Sequence, residues 1–110
     1  MTIQSSGTLG NGNDNSITLK GSNGTNRTLE KLINEGTIKG KIGIENNNGS
    51  FNGTITVRTF ENKKNGTIDG HIYMGIWGGN GGTISIENFN NSGIIKSNNN
   101  DGGVHFQAQG

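Results

Sequence analysis

One pattern recurs three times in this chain, and it limits the fold more than any other feature. Leu29-x-x-Leu32-x-Asn34-x-Gly36-Thr37-Ile38 is the first copy. Val57-x-x-Phe60-x-Asn62, continued by Gly66-Thr67-Ile68, is the second, and Ile86-x-x-Phe89-x-Asn91-x-Gly93-Ile94-Ile95 is the third. The leading apolar residues lie 28 and 29 positions apart. Similarity at a fixed period of this size is the mark of stacked supersecondary units, each burying its apolar face on the next. Composition agrees with a thin, repetitive core rather than a globular one. Only 26% of the 110 residues are hydrophobic, Gly numbers 21, Pro is absent, and Asn makes up about a sixth. Such a bias often means disorder. Here, however, the apolar residues fall at repeated places, mostly as Ile and mostly in alternation, which is a strand signal.

Aligning the copies gives inward columns. Ile38/Ile68/Ile95, Leu29/Val57/Ile86 and Leu32/Phe60/Phe89 are the main ones, with Ile55/Ile84, Ile42/Ile72 and Ile44/Met74 beside them. Val104 and Phe106 resume the last two after the Asn98–Gly103 insertion. β-Branched residues suit a narrow sheet core. Two outward columns alternate in sign: Glu30/Arg58/Glu87 and Lys39/Asp69/Lys96. Equivalent residues of neighbouring coils lie about 4.8 Å apart, so like charges there repel and opposite ones attract. A slip of one residue would also turn the Ile positions outward. Asn34, Asn62 and Asn91 form a further column, able to hydrogen-bond along the stack or to serve as plain turn residues. The Asn/Gly clusters at 46–49, 78–81 and 98–103 read as turns. The expected fold is all-β: a right-handed parallel β-helix of three to four coils, with a period of about 28–30 residues. Residues 1–26 read as an irregular or partial N-terminal coil, and residues 27–110 as the repeat solenoid.

Several functions find little support. A net charge of +1 gives no electrostatic case for nucleic acid, and no apolar run approaches the roughly 18 residues of a membrane helix. Cys is absent, so disulfides and thiolate metal sites are excluded. The acids stand mostly on separate columns, whereas glycoside hydrolysis needs a close pair; Asp69 with Glu35 or His71 is the nearest candidate. His71 and His105 do not clearly align, so no metal or other cofactor is expected. Gly10-Asn11-Gly12-Asn13-Asp14-Asn15-Ser16-Ile17 faintly matches a calcium-binding nonapeptide, but its apolar residue is one place late and no tandem copy follows. Asn-x-Ser/Thr sequons at Asn23, Asn26, Asn48, Asn52 and Asn65 follow from composition.

Two features fit a ligand. Thr37 stacks with Thr67, and Thr54 with Thr83, in outward columns of the kind that could face ice or a glycan. Thr is also simply a good strand residue. Tyr73 and Trp77, the only Trp, stand beside the Gly78-Gly79 turn, where an exposed aromatic would suit a glycan or protein and a buried one would pack over the coil.

The run Ile86-Glu87-Asn88-Phe89-Asn90-Asn91-Ser92-Gly93-Ile94-Ile95-Lys96-Ser97 resembles the repeat of bacterial autotransporter passenger domains, as do Leu29–Gly40 and, with two extra residues at Lys63-Lys64, Val57–Gly70. The likeness covers roughly residues 27–106 and rests on a degenerate motif. It implies a right-handed β-helix that is secreted or stands on the outer membrane, acting as a stalk or adhesive surface toward a host protein or glycan. Unlike that family, the chain shows neither a signal sequence nor a translocator barrel, so it is expected to be part of a longer product. Its open ends should then call for neighbouring coils or self-association. A glycan- or ice-binding solenoid and a polysaccharide-cleaving β-helix enzyme are the alternatives.

Overall fold

The computed structural model describes residues 1–12, 15–20, 26–46, 53–77, 82–97 and 103–109; for Asn46, Ile76, Trp77 and residues 105–109 it describes the backbone alone. The turns expected at 47–49, 78–81 and 98–102 lie outside these residues, as do Asn13 and Asp14 of the nonapeptide-like run.

The described residues form strands and no helix, and every strand pairing is parallel. Three sheets run along the stack, one strand from each coil. The first holds β1 (Thr2–Ile3), β4 (Asn26–Asn34), β7 (Thr54–Asn62) and β10 (Thr83–Asn91) in that order. The second holds β2 (Thr8–Leu9), β5 (Thr37–Lys39), β8 (Thr67–Asp69) and β11 (Ile94–Lys96). The third holds β3 (Ile17–Lys20), β6 (Ile42–Asn46), β9 (Ile72–Trp77) and β12 (Val104–Gln109). Each coil contributes once to each sheet before the next coil repeats the path, which is a parallel β-helix with open sheets.

The register is the one the repeats require. Leu29 pairs with Val57 and Val57 with Ile86; Leu32 with Phe60 and Phe60 with Phe89; Ile38 with Ile68 and Ile68 with Ile95. Ile42, Ile72 and Val104 share one column, and Ile44, Met74 and Phe106 another. The core follows these columns: Leu32, Ile38, Ile42, Ile44, Ile55, Val57, Phe60, Ile68 and Ile72 are all buried. Within β7 the alternation changes phase. Ile55 and Val57 point inward, Arg58 and Thr59 do not, and Phe60 and Asn62 point inward again. The chain therefore turns a corner inside a continuous ladder.

The N-terminal segment contributes one strand to each of the three sheets, more order than the irregular or partial coil expected of residues 1–26. β1 and β2 are two residues long each, yet Ile3 pairs with Asn34, Leu9 with Ile38 and Leu19 with Ile44. Gly7-Thr8-Leu9 is a copy of the Gly-Thr-Ile element of later coils, and it sits in their register.

The turn between the first and second sheets comes in two lengths. It is long in the first and third coils, from Ile3 to Gly7 and from Asn62 to Gly66, and short in the second and fourth, from Asn34 to Gly36 and from Asn91 to Gly93. The long turns close alike, through Gly7 N–H to Gln4 O and Gly66 N–H to Lys63 O, both 2.8 Å. The extra residues at Lys63-Lys64 project outward, and the ladder resumes beyond them with Thr67 N–H donating to Gly36 O at 2.8 Å. Gly66 is needed here for close approach: a Cβ would collide with Asn62 Oδ1 and the Asn34 carbonyl.

Candidate functional site

Side chains on this molecule are organised by columns. The most complete is the Asn ladder. Asn34 Nδ2 donates to Asn62 Oδ1 at 2.9 Å, and Asn62 Nδ2 donates to Asn91 Oδ1 at 2.9 Å. The amides also bond the turn backbone: Asn34 Nδ2 to Gly36 O and Thr67 O at 3.2 Å, and Asn62 Nδ2 to Gly66 O at 3.3 Å and Ile94 O at 3.1 Å. Asn34 and Asn62 are fully buried. Buried amides require partners, and here the neighbouring coils provide them. Ladder formation therefore decides between the two roles open to these residues. The ladder has a direction, each amide donating toward the C-terminal coil, and Ile3 holds the equivalent place at its N-terminal end.

The outward charges pair as their alternation requires. Arg58 Nε lies 3.2 Å from Glu30, and Arg58 Nη1 lies 3.4 Å from Glu87. All three side chains are about half exposed or more, so each contact is worth at most about 1 kcal/mol. Asp69 stands in register between Lys39 and Lys96.

The Thr columns are longer than the repeats alone reveal. Thr8 precedes Thr37 and Thr67, and the column ends at Ile94, which is 58% exposed. On the first sheet Asn26 precedes Thr54 and Thr83, and a parallel column of Thr28, Thr56 and Ser85 runs two residues away. Pairing distances put coils about 4.8 Å apart and alternate residues about 6.7 Å apart. A small polar grid thus borders the Glu30–Arg58–Glu87 ladder.

Tyr73 has an outward register but is only 8% exposed. Its hydroxyl crosses the space a side chain at Gly75 would fill, its coil neighbour is Gly43, and Lys41 Nζ lies 5.1 Å from the ring centre. The His71 ring meets it edge-on at 6.4 Å. Tyr73 is thus packed on the sheet by flanking glycines. Trp77 pairs through its backbone with Gln109 at the end of β9, and its side chain lies outside the described residues. His105 pairs with Tyr73, so it is out of register with His71.

Glu35, the partner considered for Asp69, is bound instead to Lys63 at 3.6 Å. This pair lines a hollow of about 400 Å³ between the protruding turns at Ser5 and Lys63–Asn65, over the short turn of Glu35. The hollow arises from alternating turn length, and repeats read singly do not disclose it. A second hollow, about 290 Å³, opens beside β4, floored by Leu19, Leu29 and Ile55 and rimmed by Lys20 and Arg27. Arg27 occupies the register slot that Ile55 and Ile84 fill in later coils. Among the described residues no three His, Asp or Glu side chains converge as metal ligands would. No protein-family model, no curated protein and no solved structure matches this chain.

Proposed function

We propose that this chain is a structural and adhesive segment of a surface-displayed, autotransporter-like passenger, without catalysis. The observation that carries this reading is the use of the side chains. Apolar, amide and charged residues alike are engaged in stacking one coil on the next, and the acids considered for catalysis stand in columns with cations. Such a molecule gains stability and reach by adding units. It presents long polar faces, which suits a stalk touching a host protein or glycan. The absence of Cys fits passage through an oxidising space without cross-linking.

Display tests the proposal. The chain, joined ahead of a translocator barrel on a bacterial surface, should reach the outside as a protease-resistant segment. It should also raise adherence to a panel of extracellular-matrix proteins and glycans severalfold over the barrel alone. Retention inside the cell, or surface exposure with no gain in adherence, would count against it. If the Thr54–Thr56 grid is the contact surface, Thr56→Leu with Thr83→Leu should abolish the gain while leaving protease resistance intact.

A further inference from the structure

The stack alternates between two kinds of coil, and its two ends are unlike. The Glu30 coil has a short turn, Glu at the first charged column and Lys at the second. The Arg58 coil has a long turn, Arg at the first and Asp at the second. The Glu87 coil returns to the short turn, with Glu and Lys. Among the described residues this leaves Glu87 and Lys96 at the C-terminal face with a strand neighbour on one side only, since β10 and β11 are the last strands of their sheets. Phe89, stacked on Phe60 with ring centres 5.1 Å apart, is 38% exposed on the same face, where Ile84, Ile86 and Ile95 are only partly buried. Asn91 ends the directional amide ladder there, and an Asn Oδ1 with a turn carbonyl would take the next place in it.

From this complementarity we infer that the C-terminal face is an acceptor for one further parallel coil of the Arg58 kind. That coil carries a cation opposite Glu87, an aromatic or aliphatic residue over Phe89, an Asn over Asn91, a long turn, and an acid opposite Lys96. A second copy of this chain does not supply these groups through its N-terminal coil. Ile3 would meet Asn91 and Gly10 would meet Lys96, giving the amide ladder no next Asn and Lys96 no acid. The partner of the C-terminal face is thus chosen by charge and amide pattern. The inference rests on the solenoid-segment reading and makes it specific.

A synthetic peptide of residues 54–70, capped at both ends and fluorescently labelled, is the probe for the full chain at low salt. Saturable binding is expected, absent for a scrambled peptide. Glu87→Lys in the chain should weaken it about fivefold, and Arg58→Glu in the peptide should restore binding to that variant. Asn62→Ala in the peptide should weaken it about tenfold. The inference fails if the peptide does not bind, if Glu30→Lys rather than Glu87→Lys removes binding, or if the chain alone forms head-to-tail oligomers that exclude the peptide. Any of these with adherence intact in the display experiment would remove the acceptor face and leave the stalk reading standing.

Discussion

Truncation of Phe60 to alanine is expected to destabilise the chain by about 3–5 kcal/mol in urea unfolding. Phe60 is fully buried and sits between Leu32 of one coil and Phe89 of the next. Its ring fills the corner where β7 changes phase, so the neighbouring inward residues on the strand, Val57 and Asn62, cannot move in to replace it. A domain of this size has only about 5–15 kcal/mol of stability to lose. Phe89→Ala is the control. It removes the same atoms from a residue that is 38% exposed, so the loss should be near 1 kcal/mol. Equal losses at the two positions would mean that the coil order along the stack is wrong.

Asn62→Ala should cost about 3 kcal/mol, far more than an exposed turn Asn would. The change deletes the donor to Asn91 Oδ1, Gly66 O and Ile94 O, and the acceptor for Asn34 Nδ2. Gly66 O and Ile94 O retain their places in the backbone, but the fully buried Asn34 amide loses its side-chain partner. Asn91→Ala, at the exposed end of the same ladder, should cost less than about 1 kcal/mol. A gradient from 62 to 91 is the signature of a ladder; small and equal effects would reduce these residues to turn formers.

The periodic part of the fold is legible in the sequence because a parallel in-register stack repeats its environment. Ile38, Ile68 and Ile95 face the same core, so they can be aligned without coordinates, and Glu30, Arg58 and Glu87 reveal their proximity by alternating sign. What the sequence conceals is whatever depends on a departure from that repeat. The first coil escapes a reading based on the full motif because Ile3 replaces its Asn and two of its strands have two residues each; only Gly7-Thr8-Leu9 betrays it. The Glu35–Lys63 pair forms because an inserted residue reaches back across a short turn, and insertions are what a column alignment discards. Tyr73 reads as an available aromatic until Gly43 and Gly75 are seen to leave room for its ring to lie down. The alternation of two coil types stands both in the charge columns and in the short, long and short spacings from Asn34 to Gly36, Asn62 to Gly66 and Asn91 to Gly93, and the first coil's long turn extends it.

The proposed stalk role depends on the stack, and the stack is tested most directly by reversing its charges. Arg58→Glu sets three acids in one column at Glu30, position 58 and Glu87, and at low salt should lower stability by about 1 kcal/mol, or roughly 4 °C in thermal unfolding. Adding Glu30→Lys and Glu87→Lys to the same chain restores the alternation with opposite sign and should recover most of the loss, and added salt should erase both effects. Loss followed by recovery is the result that adjacent, in-register coils predict. No loss from the single change together with no recovery from the triple one would contradict the register, and with it the solenoid and the stalk built from it.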